Sequence, residues 1–368
     1  MTKRGCLDIE KTHEHQTVVF KSRPRVVGSY SVAGKREAKG PIGEYFSETF
    51  VDCLWGEKTH EQCEQKMFET AIKGAVAEAG VKPELILGGD LLNQITSTSF
   101  AARGFDSMFV GLYGACSTMA LGIAVASVFV DGGFVKNAVA VAGSHFATAE
   151  RQYRTPLELG NQRSPLSQWT VTGAGATVIA ANPLGGLSPK TSSPQGSADC
   201  FLAKDAPAGC AITVSSATFG KVVDYGIVDV NNMGGAMSPA AMTTLCAHFR
   251  DTGRVPSDYD AIFTGDLGKL GEEVLRNLMR DEGFELDARY SDCGRLIYDA
   301  KQNLYQGGSG CGCSAVTLNG FIMDKLRKGE WKRVLFCATG ALMSPVTAFQ
   351  GNSIPGIAHA VVFETVDK

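Results

Sequence analysis

Two hydrophobic periods alternate along this 368-residue chain. Across residues 66–79, Met67 and Phe68, Ala71 and Ile72, Ala75 and Val76, and Ala79 recur every fourth position. Gly80 stands where such a helix stops, so an amphipathic helix is predicted. Before it, residues 16–20 and 26–32 have the β-branched content of strands, and 33–41 read as a charged, Gly-containing loop. Apolar periodicity resumes over 45–55. After it, residues 85–87 form a short apolar strand that runs into Gly88-Gly89-Asp90-Leu91. A second apolar run, 108–112, turns at Tyr113-Gly114-Ala115 and presents Cys116 and Ser117. Residues 118–130 are then apolar on every side, which predicts a helix buried in a core. That helix is too short to cross a bilayer. A strand follows at 138–142.

The same order returns later. Gly253, Pro256, a strand over 259–263 and Gly265-Asp266-Leu267 repeat Gly80, Pro83, the strand over 85–87 and Gly89-Asp90-Leu91. Val274, Leu275, Leu278 and Met279 mark one helix face. Gly312-Cys313-Ser314, a helix over 315–326 and a strand over 333–338 repeat Gly114-Ala115-Cys116-Ser117, its helix and its strand. Helices and strands repeating in one order argue for a duplicated α/β unit with helices on the sheet faces. The halves are expected at 1–190 and 208–368, separated by the Ser/Pro/Gly-rich stretch 187–209. Residues 151–168, with Arg151, Arg154 and Arg163, lack periodicity and read as a long interface loop or lid. The N-terminal segment, His13-Glu14-His15 included, reads as a solvated tail.

Composition narrows the function classes. A formal charge of -3 and a pI near 6.1 provide no basic face, so nucleic acid is not an expected partner. Eleven cysteines without a CxxC pair suit neither a disulfide framework nor a zinc site. No metal and no cofactor are expected. The N-terminus shows no signal peptide, and no run of eighteen apolar residues is present.

The candidate chemistry centres on Cys116. At the start of a buried helix, unpaired N–H groups and the macrodipole favour a thiolate or a bound anion, so Cys116 reads as either a nucleophile or part of an anion seat. A pocket at the strand ends would be walled by Asp90, Asn93, Cys116, Ser117, His145, Asp266 and Ser309. Asp90 and Asp266 stand in Gly-Asp-Leu turns, where a carboxylate either contacts a ligand or caps the next segment. Of the six histidines, His145 alone is placed by the sequence to reach Cys116. It is either that partner or a satisfied, partly buried imidazole. The glycine run 307–312 either cradles an anion or lets two helices pack closely.

A duplicated α/β unit with Cys at a strand–turn–buried-helix junction resembles the thiolase superfamily, in particular its ketoacyl-synthase-III-like condensing enzymes. Residues 171–179 resemble their Gly-Asp-Gly-Ala-Gly-Ala strand entry, with Thr172 in the acidic position. The resemblance implies a thiolase-like fold in α-β-α-β-α layers, two duplicated halves with mixed sheets, and a homodimer formed through the strand at 138–142. Where such enzymes carry His, this chain has Thr264-Gly265-Asp266-Leu267-Gly268; where they carry Asn or His, it has Gly307-Gly308-Ser309-Gly310. The chain is closer still to a non-typical family of sporulation proteins in that superfamily. It shares Gly89-Asp90-Leu91-Leu92-Asn93-Gln94, Ser144-His145 through Gln152, Met233-Gly234-Gly235-Ala236-Met237 and Ile354-Pro355-Gly356-Ile357-Ala358-His359 with them. That resemblance implies binding of dipicolinic acid or calcium dipicolinate, with uptake into the developing spore and release in germination. It also implies a cytoplasmic or forespore location, held at the spore inner membrane by other SpoVA proteins. The alternative is an acyltransferase or condensing enzyme using Cys116, with His145 as base.

Overall fold

The computed structural model describes residues 15–153, 163–182 and 211–366. Ten strands carry the architecture: β1 (Arg25–Ala33), β2 (Leu85–Gly89), β3 (Met108–Gly111), β4 (Asn137–Ser144), β5 (Gly173–Ala180), β6 (Ala211–Phe219), β7 (Ala261–Thr264), β8 (Tyr290–Asp292), β9 (Arg333–Ala341) and β10 (Gly356–Val366). They lie in the order β8-β7-β9-β10-β6-β1-β5-β4-β2-β3. Outward from the centre the order is 1-5-4-2-3 on one side and 6-10-9-7-8 on the other, so one topology is used twice. The join is short: β1 and β6 pair only at Arg25↔Thr213 and Val26↔Ile212. The expected mixed pairing is present in both halves: β4-β2-β3 and β9-β7-β8 are parallel, while β5 and β10 run antiparallel to their neighbours.

Eight helices repeat in the same way: α1 (His60–Ala79), α2 (Thr96–Ala102), α3 (Thr118–Asp131) and α4 (Phe146–Tyr153), then α5 (Met233–Thr252), α6 (Gly268–Asp281), α7 (Cys311–Thr317) and α8 (Pro345–Phe349). Thr59 caps α1 by accepting from the Gln62 N–H, and Gly80 closes it at φ 64. The helix therefore begins six residues before the predicted repeat. Its first turn is polar yet buries Cys63 and Glu64, which apolar spacing alone could not signal. α7 likewise starts early, at Gly310 with φ 93, and continues through a π-helical turn, Leu318–Ile322, into Met323–Arg327.

α1 covers one face of the first half and α5 with α6 one face of the second, while α3 touches strands of both halves from between them. The buried helix read from the all-round apolar pattern is that central α3: Met119, Ala120, Ile123 and Ala124 are fully buried. The five expected layers result, and the hydrophobic core follows them.

Four expectations change. The strand at 138–142, expected to form a dimer edge, is interior, paired by β5 and β2. The apolar periodicity over 45–55 yields no long element, only a 3-10 turn (Gly43–Tyr45) and a two-residue strand (Glu48–Thr49). Arg151 lies in α4, where it pairs with Glu61 at 2.7 Å, and not in a loop. His15, expected in a solvated tail, pairs with Asp251 at 2.9 Å. His13, Glu14, Arg154 and the stretch 187–209 lie outside the described residues. Among the described residues, no helix is long and apolar enough to cross a membrane.

Candidate functional site

β3 ends at Gly111, and the chain then makes a tight turn in which Ala115 takes a left-handed φ of 48. That turn sets Cys116 just before α3. Its space is fixed from the other half: a Cβ on Gly340 would stand 2.4 Å from the Gly114 carbonyl and 3.1 Å from the Cys116 nitrogen. The Ser117 hydroxyl does not reach a cavity, because it donates to the Gly114 carbonyl at 2.6 Å. The N–H groups of Ser117 and Thr118 are used within the same turn, on Gly114 and Ala115.

Behind Cys116 lies Asp266, fully buried at the end of β7. Its Oδ1 accepts from the Thr339 hydroxyl at 2.9 Å, and its Oδ2 accepts from the Gly310 N–H at 2.9 Å and the Ser309 hydroxyl at 3.3 Å. The Cys116 thiol stands beside this carboxyl. Burial pushes the Asp266 carboxyl up to about 6, against the pull of those donors. Burial, and then the neighbouring Asp266 charge, push the Cys116 thiol well above its ordinary value. The helix start that suggested a thiolate therefore holds a protonated thiol, because desolvation and a nearby carboxylate outweigh the macrodipole.

The anion seat is filled from within. Gly310 gives its N–H to Asp266, and Gly312 gives its N–H to the Ser144 hydroxyl at 3.0 Å. A Cβ on Gly312 would meet the Gly173 carbonyl at 2.7 Å, so close packing is what this glycine supplies.

His145 does not join Cys116. Its Nε2 donates to the Cys53 carbonyl at 2.8 Å, and its Nδ1 accepts from the Ala147 N–H at 3.2 Å, which fixes one neutral tautomer. Burial lowers its pKa to about 4. Both ring nitrogens are engaged, so the imidazole has no lone pair to offer a thiol.

Asp90 is also turned away. It accepts from the Thr98 N–H and hydroxyl, at 2.7 and 2.6 Å, and from the Leu92 N–H at 2.9 Å. Asn93 is exposed, its N–H bonded to Gln152. Of the seven candidates, Cys116 and Ser309 line a common cavity with Asp266 directly behind them, and Asp90, Asn93, Ser117 and His145 do not line it.

That cavity is narrow, about 30 Å³, and is completed by residues the sequence did not single out: Leu91, Tyr113, Ala149, Glu150, Tyr153, Thr170, Met233, Ala341 and Met343. Tyr113 and Tyr153 meet hydroxyl to hydroxyl at 3.0 Å, and Tyr153 donates to the Leu91 carbonyl. Thr170 donates to Glu150 at 3.0 Å. Their signal was present in the motifs around Ala149-Glu150 and Met233, but which side chains converge depends on segments distant in sequence. Among the described residues the lining holds no Lys, Arg or His, while Glu150 lines the cavity and the Asp266 carboxyl stands behind it. No group of His, Cys, Asp and Glu suited to a metal occurs among the described residues.

A family model for stage V sporulation protein AD matches residues 14–364. The stage V sporulation protein AD of Bacillus subtilis (strain 168) is 40% identical over 352 residues, covering 95% of this chain and 96% of that protein. Among solved structures, cerulenin-bound OleA of Xanthomonas campestris aligns over 94% of this chain and 100% of its own, at TM-score 0.57 and 14% identity. The 3-oxoacyl-(acyl carrier protein) synthase III of Xanthomonas oryzae aligns over 94% and 100%, at TM-score 0.56 and 12% identity. At such identities the structural likeness speaks for the fold, which is thiolase-like.

Proposed function

The chain belongs to the stage V sporulation protein AD family and is a sporulation protein on a thiolase-like fold, and from that premise we propose that it binds dipicolinic acid or its calcium chelate without catalysing a reaction. In this reading it takes part in uptake of that ligand into the developing spore and in its release at germination. The observation that carries the non-catalytic reading is the closure of the Cys116 centre: the thiol faces a buried carboxyl, and the imidazole expected beside it is committed to backbone groups. General base assistance contributes roughly a hundredfold or more in rate, and the His145 imidazole is not free to supply it.

Calorimetric titration with dipicolinate should give saturable heat and a raised Tm. Absence of both at millimolar ligand refutes the reading. Incubation with acyl-CoA should leave the intact mass unchanged; an adduct lost in Cys116→Ser would establish acyl transfer instead.

A homodimer fits the outer strand β3, whose Met108 and Phe109 are 57% and 37% exposed beside an unpaired edge. Phe109→Lys should convert the dimer to monomer in light scattering, and a dimer that persists excludes this edge. Attachment to the spore inner membrane would come through other SpoVA proteins. Fractionation of spores lacking them, with this chain still in the membrane fraction, would contradict that.

A further inference from the structure

At the end of β9 far from the Cys116 cavity, three arginines converge on one carboxylate. Ala341 closes β9 and lines that cavity, whereas Arg333 begins the strand, roughly 25 Å away along it. Glu364, near the end of β10, is buried. Its Oε2 accepts from Arg23 Nη1 at 2.6 Å, and its Oε1 accepts from Arg333 Nε at 2.8 Å and Arg254 Nη2 at 3.0 Å. Burial works against the ionised carboxyl, yet the three guanidiniums hold it below its ordinary value.

A fourth arginine joins by register. Arg333 pairs with Glu364, Glu364 with Thr213 and Thr213 with Arg25, across β9, β10, β6 and β1. Residues opposite one another in a sheet project from the same face, so Arg25 shares the face of Glu364. The Arg25 Nε is buried and has no hydrogen-bond partner among the described residues. One row of the sheet therefore carries an unmet donor beside a carboxylate that already accepts from three arginines.

The charges do not balance, because three guanidiniums meet a single carboxylate. Two acids close by in sequence are engaged by backbone groups. Asp260 accepts from the N–H groups of Lys332 and Arg333 at 2.6 and 2.8 Å, and Asp258 from the Val255 N–H at 2.9 Å. Lys332 is exposed and adds a further cation. The side chains of Arg23 and Arg333 are 49% and 37% exposed. Among the described residues Arg23 donates from Nη1 only, and Arg333 from Nε and Nη1 only. A planar fork fixed along one edge by a carboxylate presents its other N–H groups in a set orientation, which suits the oxygens of a phosphate. A phosphate group can also carry close to two negative charges, enough to offset the surplus.

We propose that the cluster of Arg23, Arg25, Arg254 and Arg333 is a binding site for a phosphate group, carried by a soluble phosphate compound or by a lipid headgroup. Glu364 holds the forks in place, and the open edges of Arg23 and Arg333, together with Arg25, take the phosphate oxygens. The site is independent of the functional reading above, and the two stand or fall separately.

The test titrates the full chain with pyrophosphate by calorimetry and measures its co-sedimentation with phosphatidylglycerol and with phosphatidylcholine vesicles. Pyrophosphate should bind, about tenfold more weakly in Arg23→Ala. In Glu364→Gln it should bind about threefold or more tightly, since the competing negative charge is gone. Arg23 is half exposed, and Glu364 keeps Arg254 and Arg333 when it is removed; circular dichroism verifies that both variants are folded. Pyrophosphate binding without sedimentation assigns the site to a soluble phosphate compound. Sedimentation with phosphatidylglycerol but not phosphatidylcholine vesicles, lost in Arg23→Ala, assigns it to a lipid headgroup. Either result upholds the site. No binding of pyrophosphate or vesicles, or binding that Arg23→Ala leaves unchanged, overturns it. Polyglutamate binding more tightly than pyrophosphate, with loss in the same variant, would make this a docking surface for an acidic protein segment and overturn the assignment.

Discussion

Asp266→Asn should cost about 2–3 kcal/mol of stability at pH 4 and much less at pH 7. The buried carboxyl accepts from Thr339 on one oxygen and from Gly310 and Ser309 on the other, and an amide can replace only part of that set because it accepts on one oxygen alone. The pH dependence follows from the direction of the shift. The folded protein holds this proton up to about 6, whereas the unfolded chain releases it near 3.8. The contribution of Asp266 is therefore complete below the unfolded value and is lost as pH rises through about 6. Two units correspond to roughly 3 kcal/mol. Urea unfolding of both proteins at pH 4 and pH 7 measures the gap. A gap that is constant or widens with pH would show that the carboxyl is ionised throughout.

Iodoacetamide at pH 8 should modify Cys53 readily and Cys116 at least about a hundredfold more slowly, since the thiolate is the reacting species. Cys53 is exposed, whereas Cys116 is 6% exposed and its thiol is pushed well above the ordinary range. Peptide mass spectrometry of the folded protein over time separates the two. In Asp266→Asn the adjacent negative charge is gone, so Cys116 labelling should accelerate. Rapid labelling of Cys116 in the unsubstituted protein would mean a competent nucleophile, and the acyl-transfer alternative would regain its main requirement.

The duplicated architecture was legible because each half repeats one order of strand, glycine turn and helix. The positions of Cys116 and Asp266 at strand ends were legible for the same reason. The fate of each side chain was not. Asp90 and Asp266 occupy the same Gly-Asp-Leu turn in the two halves, yet one caps α2 and the other meets Cys116. The difference comes from Thr98, nearby in sequence, and from Gly310 and Thr339, far from it. His145 shows the limit of reasoning from proximity along the chain. Ser144 points toward Gly312, and successive side chains along an extended strand turn to opposite faces, so His145 turns to Cys53.

α3 has a consequence for how the chain folds during synthesis. Residues 118–131 are complete long before β9 and β10, the strands of the second half that close over them, emerge from the ribosome. Until then an apolar helix has only one of its two covering layers, and the β1–β6 join offers just two residue pairs to hold the late half in register. Contacts this distant in sequence make for slow folding and a sticky intermediate. A nascent chain stalled before residue 333 should therefore occupy chaperones, and the first half expressed alone should aggregate, since the cover for α3 is made last.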